Sequence, residues 1–232
     1  MFCKFSKTKY TKAADVIFHV GCNPPPKLES SYVRCICIGD TLGDEIKVPA
    51  GDILIHTGNF TECGDMYDAY DFNKYLNTQP HKYKVVLAGE NEGQTIKELM
   101  RAIMRPTSMF LNGESTILFG VKIICASYID EDSVLDYNTF DTYADIVVSH
   151  VPPYNILDSD ESDDRYGSKG LAENLNAYPP KVCLYSNPAA SHGARYKNGT
   201  LYINCGIYGT IDGEKIKYGV PLTVDIKPTK LH

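Results

Sequence analysis

Four short segments carry side chains able to hold an ion or act on a substrate. They are Gly39-Asp40-Thr41-Leu42-Gly43, Gly58-Asn59-Phe60-Thr61-Glu62, Gly89-Glu90-Asn91-Glu92 and Ser149-His150-Val151-Pro152-Pro153. In each, an apolar run delivers a glycine or small residue and then a carboxylate, amide or imidazole. Glycine lets the backbone turn sharply and leaves room for a ligand. Taken singly, an Asp or Asn after a strand is ordinary turn chemistry, and a lone His150 reads as a satisfied buried imidazole. Their serial order, each behind a strand, is what makes them candidates for one site.

The elements that must position them are strand-like runs at Val16–Val20, Tyr32–Ile38, Ile53–His56, Lys84–Ala88, Ser115–Phe119, Lys122–Ala126, Asp145–Ser149, Val182–Tyr185, Thr200–Asn204 and Leu222–Ile226. Helices are expected over Asp65–Leu76, with Met66, Ala69, Phe72 and Leu76 on one face, and over Thr95–Met104, stopped by Pro106. A third is expected from Ser168, using Leu171 and Leu175. Turn signals stand at Asn112-Gly113, Asn198-Gly199 and Asp212-Gly213. Strand, loop, strand, helix, strand, helix in the first half, then mostly strands, describes a layered α/β domain with a mixed sheet or two stacked sheets. In such sheets strand ends converge on one edge, where sites are built.

The text Val33–Thr41, Gly51–Glu62, Phe72-Asn73, Tyr83–Gly89, Val148–Pro153 and Leu201–Asn204 resembles the calcineurin-like metallophosphoesterases, in their metallophosphoesterase domain-containing, class III phosphodiesterase branch. The resemblance spans about Tyr32 to Ile226. It implies an α/β sandwich of two mixed β-sheets flanked by helices, with residues 1–30 as an N-terminal extension carrying the first strand and 31–232 as the domain. It also implies hydrolysis at two cations that share a carboxylate and a hydroxide, with a histidine assisting the leaving group.

Mapped onto that pattern, Asp40 matches the first aspartate, but the metal-binding histidine two residues on is Leu42 and the bridging aspartate is Asn59. In the Gly-Asn-His-Glu motif, Glu90 replaces the asparagine ligand and Asn91 replaces the histidine acid; an amide cannot serve as a general acid near neutral pH. His150 keeps a ligand position. His192 falls two or three positions late and fills its role only if the loop is rearranged. Asp40, Asn59, Glu90, His150 and His192 are therefore the residual metal candidates, and Asn91 marks the lost acid position. These departures from the family pattern lead to the expectation of a binding or scaffold module for a protein partner or a small nucleotide-like ligand, catalytically inactive or severely impaired and with no cofactor. The alternative is a weak phosphodiesterase using one divalent cation (Mn, Mg, Zn or Fe); a third is a purely structural subunit.

The chain has 232 residues, 43% hydrophobic and 22% charged, enough for one domain with a core and unlike a disordered chain. A net charge of −6 argues against a nucleic-acid partner. No apolar run reaches the length of a membrane span, and Asp15 and His19 interrupt the one segment that imitates a secretory leader. Cys35, Cys37, Cys125 and Cys183 sit inside apolar strands and read as buried thiols in a reducing compartment, so a cytoplasmic location is expected. The acidic segment Asp158–Asp164 reads as a solvated loop that like charges keep extended. His56 reads as structural.

Overall fold

A computed structural model describes residues 15–104, 108–126 and 142–229. Strands β1 (Val16–Val20), β2 (Val33–Ile38), β3 (Ile53–His56), β4 (Tyr83–Val86) and β5 (Ser108–Phe110) build most of one sheet. Strands β6 (Ser115–Leu118), β7 (Val121–Cys125), β8 (Ile146–Val148), β9 (Val182–Tyr185), β10 (Gly193–Lys197) and β11 (Thr200–Asn204) build the second. A short hairpin, β12 (Tyr208–Ile211) and β13 (Glu214–Lys217), follows, and β14 (Leu222–Ile226) returns to the first sheet. The orders are β1-β14-β2-β3-β4-β5 and β10-β11-β9-β8-β7-β6. Both sheets are mixed. β2 to β5 run parallel, β14 lies antiparallel beside β2 and β1 antiparallel beside β14, and β7, β8, β9 and β11 run parallel between antiparallel β6 and β10.

The two-residue period of the strands decides the layers. Cys35, Cys37, Ile53 and Ile55 point to the face shared with Ile123, Cys125, Val148 and Leu184 of the other sheet. Their neighbours Ile36, Ile38 and Leu54 point outward beneath helices α1 (Met66–Thr78) and α2 (Gln94–Ile103). On the far side Val147, Cys183 and Tyr185 lie beneath α3 (Lys169–Ala177). The result is the expected α/β sandwich of two mixed sheets flanked by helices. Each interior isoleucine lost from such a layer costs about 2–5 kcal/mol as alanine.

The helices begin where their caps allow. Asp65 accepts the Tyr67 N–H at 2.6 Å and Ser168 accepts the Leu171 N–H at 3.1 Å. Ala69, Phe72, Tyr75 and Leu76 form the buried stripe of α1. The Asn198-Gly199 and Asp212-Gly213 turns close the β10–β11 and β12–β13 hairpins, with positive φ at all four residues. Four strands were not foreseen. β10, β12 and β13 alternate weakly and leave most of their residues exposed or half-exposed, while β5 has only three residues, so none gives a clear hydrophobic period.

At the carboxyl ends of the parallel strands the two sheets meet. Gly39 bridges Gly206, and the Ile207 and Tyr208 N–H groups donate to the Gly39 and Asp40 carbonyls at 3.0 Å each. A Cβ on Gly39 would stand 2.1 Å from Thr57 Oγ1 and 2.5 Å from Ser186 Cβ, so only glycine permits the approach. Among the described residues no helix is long and apolar enough to cross a membrane.

Candidate functional site

Asp40 leaves β2 in the left-handed region at φ 46°, and Leu42 and Asn59 adopt φ of 47° and 54°. Three non-glycine residues in that sparsely populated region, all on one edge, mark backbone held in place by its surroundings. The Asp40 carboxylate is buried and accepts the Ser186 hydroxyl at 3.1 Å. Burial, helped by the charges of Glu90 and Glu92, pushes its pKa well above the usual carboxylate range, against hydrogen bonds from Ser186 and Asn59.

Ser186 also lies 3.3 Å from His150 Nδ1, which is 3.0 Å from the Thr57 carbonyl. A carbonyl can only accept, so that nitrogen carries the proton and Ser186 Oγ receives it as a second acceptor while donating to Asp40. The serine proton therefore goes to a carboxylate and not to an imidazole base. Asp40, Ser186, His150 and Thr57 form a brace between the sheets rather than a nucleophile–base pair. Burial lowers the His150 pKa against the pull of Glu90. Gly58, at φ 115°, makes room for the ring: a Cβ there would stand 2.5 Å from Nδ1.

Asn59 Oδ1 accepts the Asn91 N–H at 3.0 Å, and Asn59 Nδ2 donates to Glu90 Oε1 at 3.4 Å. The other Glu90 oxygen accepts Asn187 Nδ2 at 3.2 Å. The Asn91 amide donates to the Thr61 and Glu62 carbonyls at 3.0 and 2.9 Å, closing the second loop onto the third. Glu92 completes the closure, accepting the N–H groups of Asn59, Thr61 and Gly89 at 2.9, 2.9 and 2.7 Å and the Thr61 hydroxyl at 2.7 Å. Its role was not foreseen, although its place in the third segment was. Ser186 was missed as well, since a serine after a strand carries no signal of its own.

The structure thus brings Asp40, Asn59, Glu90 and Asn91 to the wall of one cleft of about 870 Å³. His150 lies behind that wall, on Ser186 and Thr57. His192 does not join them. Its Nδ1 faces the Gly206 carbonyl at 2.8 Å and its Nε2 accepts the Val220 N–H at 3.4 Å, so the late loop delivers the ring to backbone groups. Burial holds its pKa down at about 4. Among the described residues no three His, Cys, Asp or Glu side chains are grouped as they would be around a metal ion. His56 is structural, as expected: Gly58 N–H donates to Nδ1 at 3.2 Å, Nε2 meets Thr41 Oγ1 at 3.0 Å, and Phe60 and Phe72 pack against the ring.

The acidic segment is a loop exposed over residues 161–164, as expected, but its like charges do not keep it extended. It is folded, because its carboxylates find local donors. Asp158 is buried, paired with Arg165 at 2.6 Å and capped by the Asn155 N–H. Asp160 accepts the Ser162 and Asp164 N–H groups and the Tyr166 hydroxyl. Glu161 accepts the Tyr218 hydroxyl from the β12–β13 side. The segment and that hairpin form the outer walls of the cleft.

No family model matches the chain. It is 35% identical over 259 residues to metallophosphoesterase domain-containing protein 1 of human and of mouse, covering 94% of this chain and 76% of either relative. It is 25% identical over 249 residues to a UPF0046 protein of Caenorhabditis elegans, covering 92% of this chain and 85% of that one. One solved structure matches with a TM-score of 0.54 at 15% identity, over 75% of this chain and 91% of the other, a likeness of fold alone.

Proposed function

The chain belongs to the metallophosphoesterase domain-containing family, and from that premise we propose that it works as a binding or scaffold module whose phosphodiester hydrolysis is absent or severely impaired. A fold does not oblige its family's chemistry, because chemistry resides in the side chains grafted onto it. The observation that carries the reading is the engagement of Asn59 and Asn91 with each other and with backbone. Asn59 Oδ1 is taken by the Asn91 N–H, and the Asn91 amide is spent on two carbonyls.

The donor set argues against a pair of cations. Leu42 has no lone pair, Asn59 is a neutral bridge between charges that repel, and the His192 nitrogens face backbone. With Asn91 in place of an imidazole, no group at that position can protonate a leaving alkoxide near neutral pH.

A second reading, a weak phosphodiesterase, draws on Asp40 and Glu90, two carboxylates on one cleft wall. Asn59, Glu90 and His150 would hold one divalent cation, which would supply a polarised water.

Metal content of protein purified without chelator, followed by hydrolysis of bis(p-nitrophenyl) phosphate with added manganese, separates the two. The binding-module reading expects substoichiometric metal and no turnover above the metal-only control. Stoichiometric metal with turnover lost in Glu90→Ala would overturn it.

A further inference from the structure

At the end of the first sheet away from the cleft, three polar atoms have no partner among the described residues. Lys84 and Ser108 are cross-strand partners in the parallel pair β4 and β5, near the amino ends of both strands. Val86 and Phe110, two residues further on, lie in the helix-side core, so Lys84 and Ser108 share that face. Strands in a sheet stand about 4.8 Å apart, which makes the two side chains neighbours. Ser108 is 5% exposed and its buried hydroxyl makes no hydrogen bond. Lys84 is 6% exposed, and no described group accepts from its ammonium. His81, in the connection from α1 to β4, is 2% exposed. Its Nε2 donates to the Pro49 carbonyl at 3.1 Å, which leaves Nδ1 as a buried lone pair without a donor.

The acceptors that would ordinarily compensate a buried lysine here are engaged. Asp52, whose charge acts on His81, accepts the Lys27 ammonium and the Arg34 N–H at 2.8 and 2.7 Å. At the carboxyl end of α1 the Tyr75 carbonyl accepts Thr78 Oγ1 and Gln79 Nε2, and the Leu76 carbonyl accepts the Gln79 N–H. Burial lowers the Lys84 pKa. Burial also lowers that of His81, and the Lys84 charge adds to this against the Pro49 hydrogen bond and Asp52. The stem of Lys84 is therefore packed away while its ammonium, which unlike Ser108 Oγ and His81 Nδ1 still touches solvent, lacks a counter-charge.

We propose that Lys84, Ser108 and His81 form a receptor for a small free oxyanion that carries a hydroxyl, of the hydrogen phosphate class. The ammonium and the serine hydroxyl donate to its oxygens, and its own O–H donates to His81 Nδ1. The enclosure of all three residues admits a free anion and excludes a phosphate borne on a larger molecule. This site stands apart from the cleft and does not depend on whether the cleft hydrolyses anything.

The test uses the full chain, stripped of metal with chelator and titrated at pH 7 with sodium phosphate against sodium chloride of equal ionic strength. Nitrogen-15 amide shifts and melting temperature are followed together. The Lys84 and Ser108 amides shift saturably, while those of Asn59 and Asn91 report any separate binding in the cleft. Lys84→Met, which keeps the buried stem, weakens binding by roughly 10- to 150-fold, and Ser108→Ala by roughly 2- to 12-fold. In oxyanion-free buffer both variants melt at or above the wild-type temperature, because each removes a polar group that has no partner. Sulfate, which has no proton to give at pH 7, binds more weakly than phosphate.

The inference is overturned by the absence of a saturable shift at Lys84 and Ser108, by shifts confined to Asn59 and Asn91, or by unchanged affinity in Lys84→Met. Sulfate or glucose 6-phosphate binding as tightly as inorganic phosphate would overturn it too. So would a lower melting temperature of either variant in oxyanion-free buffer, since that would reveal a partner within the protein. Manganese-dependent turnover is read separately and bears on the binding-module reading alone.

Discussion

Glu92 reaches across the edge of the first sheet to accept the Asn59 N–H at 2.9 Å, joining the loop after β3 to the loop after β4. The same carboxylate holds Gly89 and Thr61, so one buried side chain sets the spacing of two cleft-forming segments. Glutamine at this position keeps a single acceptor oxygen and points an NH2 at N–H donors. Glu92→Gln is therefore expected to lower unfolding free energy by about 2–4 kcal/mol, measured by urea denaturation. A change below about 0.5 kcal/mol would remove Glu92 from this role.

Substitution of Asp40 is expected to change stability in the opposite direction. Burial raises its folded pKa above the ordinary value of 3.8, so the native state disfavours the charged form. The penalty is absent below about pH 3.8, where both states are protonated, and grows as pH rises toward the folded value. Asp40→Asn, which keeps an acceptor for Ser186, should raise the melting temperature at pH 7.5, with the gain shrinking toward zero as pH falls to about 4. A lower melting temperature in metal-free protein at pH 7.5 would contradict this, whereas a loss confined to metal-supplemented samples would reveal a cation on Asp40.

Burial, with the nearby His150, pulls the His56 pKa down to about 3. A depressed imidazole contributes stability that is complete above about pH 6.5 and is lost as pH falls through that value toward 3. The nitrogen-15 shifts of His56 should stay those of a neutral ring with a protonated Nε2 from pH 8 to 5. A midpoint near 6.5 would show that the ring is not enclosed as the structure has it.

The contact between the sheets at Gly39 tolerates no side chain. Gly39→Ala places a methyl group 2.1 Å from Thr57 Oγ1 and 2.5 Å from Ser186 Cβ. The sheets must separate at the cleft or the fold must strain, at a cost of about 3 kcal/mol or more. Thermal melting and Asp40–Ser186 coupling by double-mutant cycle would detect either outcome, and wild-type values in both would refute the close approach.

If absent donors are what keep metal pairs out, returning them should bring metal back. Leu42→His, Asn59→Asp and Asn91→His together should take up about two equivalents of manganese after dialysis, measured by atomic emission. The wild-type chain under the same dialysis should hold less than one. Equal content in both proteins would assign the difference elsewhere.

Local periodicity made much of this readable in advance. The alternation Cys35-Ile36-Cys37 places the thiols on one face whatever the rest of the chain does, and Ser168 announces α3 through a cap only three residues long in reach. The four donor segments were legible for the same reason: each is a short strand followed by a residue that turns. Which donors meet is another matter, because it depends on contacts between distant parts of the chain. Asp40 and Ser186 are 146 positions apart, and a serine after a strand gives no local sign of such a partner. His192 looked like a displaced ligand until the loop's path showed its nitrogens facing Gly206 and Val220. Asp158–Asp164 looked too repulsive to fold, yet Arg165, Tyr218 and its own N–H groups supply the donors that offset the repulsion. Strand faces, helix starts and residue chemistry follow from neighbours in sequence. The shape and charge of the cleft were decided only when two sheets closed on each other, since a carboxylate's partners and its exposure to water are properties of the assembled surface.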